Sequence, residues 1–145
     1  FDDDDLHFPH RIERGVSKLR KTGSKMIAGN SALLLADVKS EDVIQSGPFN
    51  KNHATAGTFA FRKEFMEHSA FRTSDTAGEE VHFLKNWSIP MVQLHPQESI
   101  IALSHADNTV SKENIFEKAE VKGSLGKLFG NKEILKSMRN CLQSD

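Results

Sequence analysis

The chain begins with an acidic run, Phe1-Asp2-Asp3-Asp4-Asp5, in which four carboxylates follow one aromatic residue. Carboxylates two residues apart in an extended segment point to the same side of the backbone. Paired oxygen ligands of this kind suit a hard divalent cation such as Mg²⁺ or Mn²⁺, which completes its shell with water and substrate phosphate oxygens. The run therefore predicts a cation site that is also a phosphate site. Taken alone, an acidic run at a terminus is more typical of a solvated segment.

Two later stretches carry further side chains that could do chemistry. Glu79 and Glu80 follow a glycine at the predicted start of a helix, where acidic residues also stabilise the helix dipole. His105 and Asn108 follow a predicted late strand. A single histidine is more often structural or exposed than a ligand. These residues are candidates for function if the fold brings them into one cleft with the acidic run.

The elements that must position these residues alternate between strands and helices. We predict a helix over 9–22 with an apolar stripe of Ile12, Val16 and Leu19. The remaining predictions are strands over 25–28, 31–36, 54–62, 90–94 and 99–104, a polar loop over 37–52, short helices at about 63–67 and from residue 79, and a mainly helical tail over 111–145. The glycine-rich stretch 122–127 lacks the spacing of a phosphate-binding loop, so we interpret it as a linker or flap.

Composition excludes several classes of function. The 145 residues are enough for one domain with a core, and 19 basic against 20 acidic residues give no electrostatic footprint for nucleic acid. No apolar run has the length of a membrane span. The single cysteine, Cys141, cannot form an internal disulfide, and no signal peptide is visible, so we expect a cytoplasmic location.

The acidic run, the proline at position 9 and the Arg-Ile-Glu-Arg helix after it resemble the metal-binding stretch of family 2 glycosyltransferases of the GT-A fold. In that family the acidic motif ends a buried strand, of which Phe1 would be the last residue. The resemblance implies that Asp2 and Asp4 are the DxD pair that binds the metal. It implies that Asp3 and Asp5 lie beside them on the cofactor side. The register within four identical residues stays open.

Two later stretches are similar to further motifs of the family, in the family's order. From Gly57 to Leu84 the chain resembles the acceptor-side segment, which implies that Glu80 is the catalytic base and Glu79 its neighbour. The family more often has Asp at the base position. His105 and Asn108 match a His-x-x-Asn-Thr-like stretch near the nucleotide diphosphate. This match implies that His105 completes the metal shell and that Asn108 contacts the diphosphate.

The resemblance implies an α/β fold, the C-terminal portion of a GT-A domain with a mixed sheet, flanking helices and a helical C-terminal tail. Residues 1–110 would form the metal, diphosphate and acceptor portion, and residues 111–145 a helical extension. Because the chain opens at a strand end without Met, we expect a fragment whose preceding half holds the nucleotide.

The implied reaction is an inverting transfer of a sugar from a nucleotide-diphosphate donor to a sugar or other hydroxyl acceptor, assisted by Mn²⁺ or Mg²⁺. We expect no nucleic-acid partner and no membrane span. Two alternatives stay open. One is a non-catalytic binding or assembly domain, or a pseudoenzyme, whose acidic terminus is solvated. The other is a different metal-dependent phosphate enzyme, which would need further ligands to hold two metals.

Overall fold

The structure, a computed structural model, describes residues 4–72, 78–105, 113–116 and 119–142. Within these ranges the chain is an α/β protein with two mixed β-sheets. In chain order the elements are β1 (Leu6–His7), α1 (Arg11–Lys21), β2 (Ile27–Asn30), β3 (Leu33–Asp37), β4 (Asp42–Ser46), β5 (Ala60–Phe61), α2 (Glu79–Phe83), β6 (Met91–Leu94), β7 (Ile100–Ser104), α3 (Glu113–Phe116), β8 (Val121–Ser124), α4 (Leu125–Phe129) and α5 (Lys132–Leu142). No helix in this part of the chain has the length and apolar character to cross a bilayer.

The chain passes between the two sheets four times, at β1–β2, β2–β3, β4–β5 and β6–β7. The larger sheet has the order β1-β7-β3-β4-β8 and the smaller has the order β5-β2-β6. β7 runs parallel to β3, and β6 runs parallel to β2, whereas the other pairs are antiparallel. Because β2–β3 and β6–β7 each pass from the smaller sheet to the larger one, the two sheets hold each other in place. The predicted α/β class with mixed sheet is confirmed at this level.

The C-terminal segment supplies part of the core beneath the larger sheet. Leu125, Phe129 and Leu135 are buried in the same cluster as Leu6 and Phe8 near the start of the chain. The rings of Phe8 and Phe129 lie 5.6 Å apart. Burial of these side chains removes apolar surface from water, which is the main favourable term in folding. Packing of α4 and α5 therefore stabilises β1, near the start of the described residues.

The tail is only partly helical. Residues 121–124, inside the predicted linker or flap, form β8 and pair with β4 at the edge of the larger sheet. Gly123 has a φ of 158° there, close to extended backbone. An ion pair between Glu41 and Arg139 connects α5 to the β3–β4 turn. The hydrogen bond that Arg139 donates to Glu41 holds the pKa of this carboxyl group below its usual range. The prediction of a helix was right for α5, whereas β8 and the start of α4 lie in the stretch predicted as a linker or flap.

A second core forms around one phenylalanine. Phe83 is completely buried, and four other rings surround it: Phe71 at 4.0 Å between ring centres, Phe65 at 5.2 Å, Phe61 at 5.5 Å and Phe59 at 5.7 Å. Phe59 and Phe61 both contact it. Because Phe83 is the last residue of α2, this aromatic cluster fixes the short helix that carries the two glutamates.

α1 lies close to its predicted bounds but buries a different face. Leu19 is buried, whereas Ile12 is 66% exposed and Val16 is 41% exposed. The contact centres instead on Gly15, where an added Cβ would lie 2.9 Å from the Cβ of Ala60. The absence of a side chain at Gly15 lets the helix approach β5 closely, and this turns Ile12 and Val16, but not Leu19, toward solvent.

The predicted strand over 54–62 is mostly not a strand. Its first part is a 3-10 turn, Ala56–Thr58, and only the two residues of β5 join a sheet. The Thr58 hydroxyl donates to the carbonyl of Thr55 at 2.8 Å and accepts the N–H of Asn30 at 3.1 Å. A side chain that bonds the local backbone in this way competes with ladder formation. The predicted loop over 37–52 likewise contains a strand, β4, in which Val43 and Ile44 are buried.

The break between the first two predicted strands falls at 31–32 rather than at Gly29-Asn30. Gly29 lies inside β2, where an added Cβ would be 2.6 Å from the Cβ of Ala54. Asn30 is completely buried and donates from its amide to the carbonyl of Pro96 at 2.9 Å. Both residues are therefore explained by close packing and not by a turn.

The chain leaves α2 through a left-handed turn built without glycine. Lys85, Asn86 and Trp87 have φ values of 49°, 53° and 62°. Left-handed backbone costs a side-chain-bearing residue roughly 1–2 kcal/mol. The turn is held by the Asn52 amide, which donates to the carbonyl of Trp87 at 3.1 Å, and by the His53 ring 4.1 Å from the indole.

We expect Lys85→Gly to raise the free energy of unfolding by roughly 0.5–1 kcal/mol, because relief of the left-handed strain exceeds the added chain entropy of glycine. The matched control is Lys136→Gly, at an exposed position inside α5, where the change should lower stability by about 1 kcal/mol. Urea denaturation measures both values. Equal losses in the two variants would contradict strain at position 85.

Candidate functional site

The pairing of β1 with β7 brings the first described residues beside the end of a late strand. Leu6 lies opposite Ile101, and His7 lies opposite Ile100, in antiparallel register. In such a pair, residues before the first strand lie beside residues at the end of the second. Asp4 and Asp5 are therefore delivered to the C-terminal end of β7, where His105 follows.

Asp4 and His105 form the polar contact at this edge. The Nε2 of His105 lies 3.2 Å from the Oδ2 of Asp4, across 101 positions of sequence. The His105 side chain is 12% exposed, and the Asp4 side chain is 48% exposed. A largely buried imidazole thus presents one nitrogen to a carboxylate that solvent can reach. The structure brings together these two predicted site residues.

Asp5 has a different role from its neighbour. Its Oδ1 accepts the backbone N–H of Leu103 at 3.1 Å, within the β1–β7 contact. A charged acceptor on a backbone N–H is one of the stronger hydrogen bonds in proteins. Asp5 therefore fixes the acidic segment to β7 and sets where Asp4 lies.

The remaining residues predicted for the cation and diphosphate are Asp2, Asp3 and Asn108, which lie outside the described residues. No group of three or more His, Cys, Asp or Glu side chains able to hold a metal ion occurs within the ranges that the structure describes. Asp4 and His105 give one carboxylate and one imidazole, which is half of a four-ligand set or one third of a six-ligand set.

Asp37 ends the strand next to β7, at the same edge of the sheet. It lies opposite Ser104 in the parallel register. Its Oδ1 accepts the backbone N–H groups of Lys39 and Ser40 at 2.9 and 2.7 Å. This carboxylate is used to build the β3–β4 turn, so it serves as a structural neighbour of the site.

The two candidate catalytic glutamates occupy the first turn of α2. Glu79 and Glu80 stand four residues before Phe83 and Leu84, both completely buried, so each lies on an inward-facing side of the helix. The side chains of Glu79 and Glu80 are themselves half-buried. Hydrogen bonds and ion pairs among the described residues do not link Glu80 to the Asp4–His105 pair.

A cavity of about 300 Å³ opens beside this helix. Its lining consists of Arg11, Ala56, Gly57, Phe59, Phe61, Phe71 and Glu79. Glu79 thus faces a space large enough for a ligand. Glu80, the residue in the base position of the resemblance, is not among the lining residues.

Arg11 is a residue of this region that the sequence did not single out. Its Nη2 donates to the carbonyl of Gly57 at 2.7 Å, and its Nη1 lies 2.5 Å from the Nδ1 of His7. His7 belongs to β1, three residues after Asp4. Arg11 therefore connects the strand of the Asp4–His105 pair to the wall of the cavity that Glu79 lines. In the sequence it counted only as the first residue of the Arg-Ile-Glu-Arg helix after Pro9.

Neighbouring aspartates allow a test of these separate roles. We expect Asp5→Ala to lower the free energy of unfolding by roughly 1.5–3 kcal/mol, because the N–H of Leu103 loses a charged acceptor. Asp4→Ala should cost less than about 1 kcal/mol, because about half of the Asp4 side chain is exposed to solvent. Chemical denaturation without added metal measures both. Equal costs would mean that Asp5 is not the anchor.

Comparison of the chain with protein families, with curated proteins and with solved structures found no match.

Proposed function

We propose that the protein is an inverting glycosyltransferase that uses a nucleotide-diphosphate sugar, and that the chain forms part of a GT-A domain. The observation that supports this most is the contact between Asp4 and His105. These residues carry two separate motifs of the resemblance, and β1–β7 pairing brings them within 3.2 Å. A solvated acidic terminus would give no reason for a largely buried imidazole to meet it.

The donor atoms fit a divalent cation. A carboxylate oxygen and an imidazole nitrogen form a mixed pair, which Mn²⁺ accepts more readily than Mg²⁺ because Mg²⁺ takes oxygen ligands almost alone. Asp4 is about half-exposed, so water and diphosphate oxygens have room to approach. We assign Asp2 to the same metal shell, and Asp3 and Asn108 to the diphosphate side. When bound, the cation supplies Lewis-acid stabilisation of the departing diphosphate.

Proton removal and positioning, the remaining parts of sugar transfer, are assigned to side chains of this protein. The anomeric carbon becomes positive as the diphosphate leaves, and the acceptor hydroxyl becomes acidic as its oxygen attacks the opposite face. In this proposal Glu80 takes that proton, with Glu79 as its neighbour on the same helix turn. Asp5 holds the acidic segment at a fixed height on β7, so that Asp4 and His105 are positioned before any ligand arrives.

Binding of Mn²⁺ tests the metal half of the proposal. In the intact protein, we expect Asp4→Asn and His105→Gln each to weaken Mn²⁺ binding at least about tenfold, because each removes a ligand atom. The matched control is Asp37→Asn, which removes the same charge from the same sheet edge and should leave affinity within about twofold. Calorimetric titration gives the three constants. Unchanged Mn²⁺ affinity in both site variants would leave the non-catalytic alternative as the better account.

Transfer activity tests the base. With a panel of nucleotide sugars and Mn²⁺, we expect Glu80→Gln in the intact protein to lower the rate of transfer at least about 100-fold while donor binding survives. The control is Glu133→Gln, which makes the same change at an exposed position in the first turn of α5. Glu79→Gln tests the neighbouring carboxylate. Transfer by Glu80→Gln at the wild-type rate, together with loss of transfer in Glu79→Gln, would move the base to the residue that lines the cavity.

A further inference from the structure

We infer that the cavity beside α2 is a subsite for a single pyranose ring, so that the acceptor is a carbohydrate rather than a peptide or lipid hydroxyl. The assignment of this ring as acceptor rests on the proposed function, whereas its binding does not. The volume of about 300 Å³ lies at the lower end of ligand pockets. A space of this size suits one ring, and it is too small for an extended chain.

The aromatic wall of the cavity gives the first reason. Phe71 stacks on Phe83 with 4.0 Å between ring centres and 3° between ring planes. Phe83 is completely buried, whereas Phe71 is 40% exposed and Phe61 is 37% exposed. The Phe83 ring covers one face of the Phe71 ring and fixes its orientation. The opposite face of Phe71 is then the one available to a ligand.

The chemistry of an aromatic face selects the kind of ligand. The face of a phenyl ring carries negative potential, so it attracts groups with a positive outer surface. A pyranose has such a surface, because several of its C–H bonds point to one side of the ring. Its hydroxyls lie around the rim and need polar partners when they leave water. The cavity must therefore combine an aromatic wall with polar groups at its edge.

Polar groups of the required kind line the same cavity. Glu79 can accept hydrogen bonds from hydroxyls, and two adjacent sugar hydroxyls suit the two oxygens of one carboxylate. Arg11 is held by the carbonyl of Gly57 and by His7, so its guanidinium forms a fixed edge of the cavity. A purely aromatic ligand would use the phenyl rings and leave the carboxylate without a partner.

The test measures sugar binding directly, without metal, donor or activity. The intact, uniformly ¹⁵N-labelled protein is titrated by NMR with the methyl glycosides of glucose, galactose, mannose, xylose and N-acetylglucosamine, up to about 50 mM, because a ligand of this size binds at about millimolar affinity. Uridine and benzyl alcohol are titrated separately as aromatic probes. We expect saturable shifts with at least one glycoside at residues around Phe71 and Glu79.

Variants of the wall give the decisive comparison. We expect Phe71→Leu to weaken glycoside binding at least about fivefold, since it keeps apolar volume and removes the aromatic face. Phe61→Leu serves as a second variant. The control is Phe116→Leu, which changes a half-buried phenylalanine of α3 that does not line the cavity. Glu79→Gln should also weaken binding.

Three results would overturn the inference: no saturable shift with any glycoside, equal affinity in Phe71→Leu and Phe116→Leu, or saturation by the aromatic probes alone. Other results distinguish a failure of this subsite from a failure of the proposed function. Sugar binding without Mn²⁺ binding at Asp4 and His105 would keep the subsite and remove the glycosyltransferase. Transfer to a non-carbohydrate acceptor, with no glycoside bound, would keep the glycosyltransferase and remove the subsite.

Discussion

The candidate site depends most on the short antiparallel pairing of β1 with β7. Only two residues of β1 take part, and the hydrogen bond from Leu103 to Asp5 extends the contact toward the start of the chain. Without this pairing the acidic segment would have no fixed neighbour. With it, a carboxylate and an imidazole from distant parts of the sequence lie within hydrogen-bond distance. A polar contact of this kind, formed at a sheet edge and open to solvent on one side, is a suitable starting geometry for binding a cation.

The second half of the candidate site depends on aromatic packing rather than on strand pairing. Phe83 fixes α2 against four other rings, and this places Glu79 at the wall of a cavity. Arg11 joins the two halves, because it contacts His7 on one side and Gly57 on the other. The Asp4–His105 pair and the cavity are therefore parts of one connected structure, although different physical interactions hold each of them.

An apolar stripe was enough to predict α1, and short apolar runs on either side of a turn were enough to predict β6 and β7. The resemblance implied that Asp4 and His105 would meet. The buried face of α1 could not be predicted, because hydrophobic spacing favours Ile12 and Val16, whereas the close approach of Ala60 requires Gly15. β8 was missed because glycine-rich, polar sequence predicts a loop, and its pairing depends on β4, about eighty positions earlier. Arg11 and the inward side of Glu79 depend on tertiary contacts that no local pattern contains. The assignments of Glu80, Asn108, Asp2 and Asp3 remain predictions.

The distance along the chain between Asp4 and His105 also affects when the site can exist. During synthesis a ribosome makes Asp4 first, and 101 residues later it makes His105. The helices that bury Leu6 and Phe8 emerge after that. A nascent chain that has not yet reached residue 105 therefore holds Asp4 without its partner. Any product truncated before residue 105 lacks the imidazole and cannot present this pair.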